Sequence, residues 1–192
     1  MIKNDLWIAE RARQGMIRPF LQRETRHAEG LITPVISYGL SCYAYNIRLS
    51  PKEFKIFKHI PGKVVNPKRF NLGNLESVEL EEDSDGSFFV LPAHSYGLGV
   101  AMEYLEIPCN VTVICLSKST YARCGIMFNT TIVNAGWKGH LTLEFSNSSK
   151  ADCKLFVNEG IVQLLFFEGE PCSNQYMGVY QDQLELVTAP RT

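Results

Sequence analysis

The run Leu-Ser-Lys-Ser-Thr-Tyr-Ala-Arg-Cys-Gly at positions 116–125 gathers hydroxyls, an ammonium and a guanidinium into one short segment. Ser119, Thr120 and the nearby backbone N–H groups are suited to donate to phosphate oxygens, and Lys118 adds a compact positive charge. Arg123 offers a planar fork that holds an oxyanion or a carboxylate. The same composition also suits a polar surface loop with two basic residues. A second stretch, Asn129 to Asn147, carries Asn129, Thr130 and Thr131, whose main chain can face a planar base, and Trp137, a core residue or a rim wall. It also carries Glu144, flanked by Leu143 and Phe145. Glu144 is either an ordinary polar-face strand residue or a general base. A carboxylate with an ordinary pKa of about 4.3 is a weak base, so apolar surroundings must raise it, while a neighbouring Arg123 would lower it. Leu143 and Phe145 point to the opposite face, so those surroundings must come from other strands.

Zinc-dependent nucleotide deaminases carry His-x-Glu followed by Pro-Cys-x-x-Cys. His27-Ala28-Glu29 supplies the first element, and Pro-Cys occurs at 108–109 and 171–172. Thr112 and Gln175 stand where the second cysteine would be needed. No zinc chemistry is expected, and His27 reads as a surface residue.

These groups need a scaffold, and the pattern around them is mostly that of strands. Residues 5–15 fit a short helix with Asp5 as N-cap, Leu6, Ile8, Ala9 and Ala12 on a partly apolar face, and Gly15 as the stop. Beyond it, short apolar or alternating runs recur, separated by Gly, Pro, Asn or Ser. In residues 141–146, Leu141, Leu143 and Phe145 alternate with Thr142, Glu144 and Ser146, the period of a half-buried strand. Such a chain is mainly β: a sandwich, a jelly roll or a distorted barrel. Residues 79–87 read as an acidic, solvated turn. The polar segment 173–192 reads as a mobile tail or lid at the end of a single domain spanning 1–192.

Composition narrows the class. The chain has 192 residues, 45% of them hydrophobic and 20% charged, with a net charge of -1. That suits one globular domain and gives no bulk charge for nucleic acid or a membrane, so an anionic ligand must meet a local basic cluster. No apolar run is long enough to span a bilayer, and the N-terminus lacks a signal-peptide core. The six cysteines form no CxxC pair, which favours a reduced, cytoplasmic protein with buried thiols.

Five segments then occur in a telling order: ISYGLSCYAYNIRLS, FVLPAHSYGLGVAMEYLEIPCNV, ICLSKSTYARCGI, GWKGHLTLEFSN and NEGIVQLLFFEGEPC. Together they resemble bacterial dCTP deaminases, members of the superfamily shared with trimeric dUTPases, over roughly Asp5 to Cys172. The resemblance implies a distorted, jelly-roll-like β-barrel of the dUTPase type with a short N-terminal helix. It implies a homotrimer with active sites at subunit interfaces, and metal-free deamination of the base. Glu144 would activate water for attack on C4, with Ser119 and Arg123 orienting water and carboxylate. Lys118, Ser119 and Thr120 match the triphosphate-binding run, with Mg²⁺ riding on the phosphates. The resemblance extends nucleotide binding to Arg123, Asn129, Thr130, Thr131, Asn134, Trp137, Gln163, Tyr176, Tyr180 and Gln183.

The chain departs from that pattern at several points. Ala44 and Asn46 replace Gly and Asp, Asn134 replaces an acidic residue, and Ile132 replaces Pro. The tail is shorter, with Val179 in place of a lysine. An amide at 134 cannot act as a base, which argues against dUTPase-type pyrophosphohydrolysis. That activity and a non-catalytic nucleotide-binding role remain the alternatives to deamination of dCTP, or of a related nucleotide with fewer phosphates or a modified base.

Overall fold

A computed structural model describes residues 1–25 and 34–192. Helix α1 (Asp5–Arg13) buries Ile8, Ala9 and Ala12, while Leu6 is exposed. Asn4, not Asp5, is the N-cap, because its side chain accepts from the Trp7 N–H; Asp5 occupies the first turn, where its charge suits the helix dipole. The helix stops at Arg13, and Gly15 follows with φ +101°.

Among the described residues, the strands form three sheets. Strands β1 (Ile17–Arg18), β2 (Gly39–Leu40), β3 (Tyr45–Arg48), β4 (Lys55–Phe57), β5 (Leu75–Ser77), β6 (Glu81–Asp83) and β7 (Gly86–Leu91) supply the first half. The second half comprises β8 (Tyr96–Glu106), β9 (Val111–Ser117), β10 (Ile126–Phe128), β11 (Lys138–Asn147), β12 (Cys153–Phe156) and β13 (Gly160–Glu168). One sheet runs β10-β11-β8-β4-β5 with β1 also paired to β8; the others run β12-β7-β6 and β2-β3-β13-β9. The architecture is mainly β, as the strand pattern requires, but the sheets do not close into one continuous barrel.

Between the sheets lies one core of buried side chains, including Tyr45, Phe54, Phe89, Leu105, Phe145 and Phe166. Inside it Glu103 is fully buried and takes two hydrogen bonds from Arg48, from the backbone N–H at 2.9 Å and from Nε at 2.7 Å. Burial pushes the Glu103 carboxyl up although Arg48 pulls it down. This pair ties β3 to β8. The acidic segment 79–87 is exposed from 79 to 85, and its solvated turn at 84–85 closes a hairpin in which Glu81 pairs with Phe88 and Asp83 with Gly86. Lys154 on β12 bonds to Asp83.

Among the described residues, no helix is long and apolar enough to cross a membrane. The expectation of buried thiols holds only for Cys115. Cys42 and Cys124 are exposed, and Cys109, Cys153 and Cys172 are intermediate. His27 lies outside the described residues.

Candidate functional site

Strand β11 forms the floor of the site. It pairs antiparallel with β8, Glu144 opposite Leu98 and Ser146 opposite Tyr96. The ladder shifts register between His140 and Thr142. The extra residues lie in β8, so the alternation expected for residues 141–146 holds: Leu141, Leu143 and Phe145 enter the core, whereas Thr142 and Glu144 line the cavity, where Leu141 also contributes.

That cavity is about 440 Å³, within the usual range for small-molecule sites. One wall is the main chain from Thr130 to Asn134, which arrives from β10. The Thr130 hydroxyl accepts from the Glu144 N–H at 3.1 Å, and the Asn129 N–H donates to the Glu144 carbonyl at 2.8 Å. Phe57, Tyr96 and Leu98 form the opposite wall, and Trp137 the end. Trp137 therefore fills both roles expected of it, since it also belongs to the core.

The mouth is covered by the C-terminal segment. Trp137 Nε1 donates to the Tyr180 carbonyl at 2.7 Å, and Thr142 Oγ1 donates to Gln183 Oε1 at 2.8 Å. Gln183 also bridges in parallel to Gly139, and its carbonyl accepts from the His140 N–H. Further along, Glu185 accepts from the Ser50 hydroxyl and pairs with Lys52. Tyr176, Tyr180, Gln183, Thr188 and Pro190 thus become cavity residues. The tail is seated by hydrogen bonds to β11 and to the segment after β3.

Among the described residues, Glu144 is the only carboxylate on the cavity wall. Burial holds its carboxyl above the ordinary value of 4.5, and Arg123 makes no contribution within the chain. Its charge in turn helps raise two neutral neighbours. Tyr96 is pushed up to about 12 by burial and then by Glu144, and Cys115 likewise to about 12. The apolar surroundings that Glu144 needs are supplied by Phe57, Leu98 and Leu141, which line the same cavity.

The cavity thus collects Thr130, Thr131, Asn134, Trp137, Glu144, Tyr176, Tyr180 and Gln183. The remaining expected residues lie elsewhere in the chain. The Lys118–Arg123 run is not a loop: Ser119–Arg123 is a short helix, α2, following β9. Ser119, Thr120 and Arg123 are exposed, but Lys118 is only 6% exposed, with Nζ donating to Asn46 Oδ1 at 3.1 Å. An amide oxygen thus stands where the related pattern has a carboxylate. Gln163 on β13 sits opposite Asn46 on β3 and Leu116 on β9, so all three share a sheet face. Asn129 is exposed and donates to Ser146 Oγ at 2.7 Å. Phe57, Tyr96, Leu98 and Thr142 are cavity residues that sequence reasoning did not select. Only the pairing of β4, β8 and β11 brings them to Glu144.

Among the described residues, no cluster of three or more His, Cys, Asp or Glu side chains is arranged to hold a metal ion. A cavity of this size, with one carboxylate among its described lining residues, suits a small-molecule ligand. Comparison with known proteins makes the class specific. Residues 16–169 match the family model described as dCTP deaminase-like. The chain is 45% identical to a dCTP deaminase of Azotobacter vinelandii over 100% of this chain and 99% of that protein. It is 43% identical to a dCTP deaminase of Acidobacterium capsulatum over 97% of each. Among solved structures, a 2'-deoxycytidine 5'-triphosphate deaminase from Agrobacterium tumefaciens aligns with a TM-score of 0.58 at 17% identity. That alignment covers 88% of this chain and 48% of the other, and it supports the fold. The chain belongs to the dCTP deaminase-like family and is an enzyme of that type.

Proposed function

We propose that the chain hydrolyses the C4 amine of a deoxycytidine nucleotide, dCTP in the first place, to give dUTP and ammonia. One observation carries this reading. Glu144, the single carboxylate on the cavity wall among the described residues, is held by burial at a pKa above its ordinary value, which brings it closer to the operating range of a general base.

Glu144 takes a proton from water as the oxygen attacks C4, then returns it toward the departing amine. The Thr130–Asn134 main chain faces the base edge, and Trp137 closes the end of the cavity. Tyr176, Tyr180 and Gln183 cover the bound nucleotide when the tail is closed and leave the mouth when it opens.

Among the described residues, no Lys, Arg or His lines the cavity, yet a triphosphate requires cations. Of the run suited to that task, Ser119, Thr120 and Arg123 lie exposed on α2, which follows two exposed apolar residues of β9, Ile114 (36%) and Leu116 (45%). A second copy packed through this face would bring its Ser119, Thr120 and Arg123 to the open cavity. Three copies related by a threefold axis would close such an arrangement. In that assembly Ser119 and Arg123 of a neighbouring copy orient water and carboxylate, and Lys118 adds charge toward the phosphates. Mg²⁺ enters on the nucleotide's phosphate oxygens, as part of the substrate.

The competing pyrophosphohydrolase reading needs an acidic residue where Asn134 lines the cavity. The deciding experiment incubates wild type and Glu144→Gln with dCTP, dCMP and dUTP and follows ammonia and pyrophosphate. Ammonia from dCTP, with kcat lowered roughly 10²–10⁴-fold by the substitution, is expected. Variant activity close to wild type, or pyrophosphate as the main product, would overturn the proposal.

A further inference from the structure

We propose that Tyr96 is a positioning residue for Glu144, its phenolic O–H holding the carboxylate in place for proton transfer. The inference rests on the deaminase reading and goes beyond it by assigning a second polar group to the chemistry.

The placement follows from the ladder. Residues directly opposite on paired strands share a face, as do residues two apart on one strand. Glu144 opposite Leu98 and Ser146 opposite Tyr96 therefore set Tyr96 and Glu144 diagonally on one face. Diagonal neighbours lie about 7–8 Å apart at the backbone, within reach of an aromatic and a long side chain. Both side chains line the same cavity.

The ring of Tyr96 has a structural task and its hydroxyl does not. Phe57 meets the ring edge-on, with centroids 5.0 Å apart, and Phe70 meets Phe57 at 5.8 Å. Phenylalanine at 96 would serve that packing equally well. Among the described residues, the Tyr96 hydroxyl makes no hydrogen bond, and neither does the Glu144 carboxylate. A donor and an acceptor thus occupy one half-buried cavity without partners inside the chain. Burial, and then the Glu144 charge, push the Tyr96 phenol up to about 12, so its proton remains in place at neutral pH. Catalytic hydrogen bonds are often long in an unliganded site and tighten when substrate enters. Nucleotide in the cavity expels water, and the phenol then donates to Glu144 directly or through the attacking water.

The test is Tyr96→Phe, assayed beside wild type and Glu144→Gln for ammonia release from dCTP across pH. The expected result is a kcat loss of roughly ten- to a hundredfold, the worth of a hydrogen bond to a charged group, with KM and Tm little changed. Removing a donor disfavours the ionised carboxylate, so the acid limb of the kcat profile should move to higher pH. A variant with wild-type kcat and an unmoved acid limb overturns the assignment, as does a loss confined to KM. These outcomes are distinct from failure of the deaminase reading. There, wild type itself would release no ammonia, or Glu144→Gln would remain active.

Discussion

Ionised Glu144 strains the fold it serves. Its carboxyl is raised above 4.5 by burial, so the native state binds that proton more tightly than the unfolded chain does. Stability from this group is fully present below pH 4.5 and is lost as pH rises through the raised value. At pH 7 the neutral, isosteric Glu144→Gln should therefore melt at a higher temperature than wild type. The difference should vanish below pH 4.5, where both side chains are neutral. Calorimetry at the two pH values checks this. A lower Tm for the variant at pH 7 would mean that Arg123 of a neighbouring copy stabilises the ionised form by more than burial opposes it. An active site that costs stability is a common trade-off.

At the scale of elements, the pocket depends on how β11 receives the tail. Gly139 has φ +139°, and a Cβ there would lie 2.6 Å from the Gln183 backbone N and 3.1 Å from its carbonyl oxygen. Neither atom is the end of a flexible side chain, so Gly139→Ala must displace the tail or strain the strand, at about 1–3 kcal/mol. The expected outcome is faster cutting by chymotrypsin at Tyr176 or Tyr180 and a raised KM for nucleotide. Protection equal to wild type would show that the contact between Gly139 and Gln183 does not seat the tail. The register shift opposite Leu141 belongs to the same scale. Ala101, Met102 and Glu103 of β8 face the single residue Leu141, and the ladder resumes with Glu144 opposite Leu98.

At the scale of the whole molecule, the question is how the phosphate run meets the cavity. Leu116 is exposed beside that run, so Leu116→Glu should leave the single-chain fold intact while placing a charge in the proposed interface. Light scattering should report a trimer for wild type and smaller species for the variant, and deaminase activity should fall with the trimer. A wild-type monomer at micromolar concentration, or a variant that remains trimeric and fully active, would refute a site shared between copies.

Much of this was legible from the sequence because it is local. Period-2 alternation identified β11, and the order of its segments marked the family. Glu144 stood out as the acidic residue of its stretch once position 134 proved to be Asn. The helix at residues 5–13 was equally visible, although capping fell to Asn4, one residue before the expected Asp5. What the sequence left open depends on atoms far apart along the chain. Whether Glu144 is solvated or buried is decided by Phe57, Tyr96 and Leu98, which reach it only through the pairing of β4, β8 and β11. Lys118 read as a presented charge, but Asn46, 72 residues away, draws it into the interior. The tail read as mobile because its composition is polar. Its seat exists only where β11 turns Gly139 and Thr142 toward it. Periodicity and turn residues act through neighbouring residues, whereas desolvation and long-range hydrogen bonds arise only after the sheets have paired.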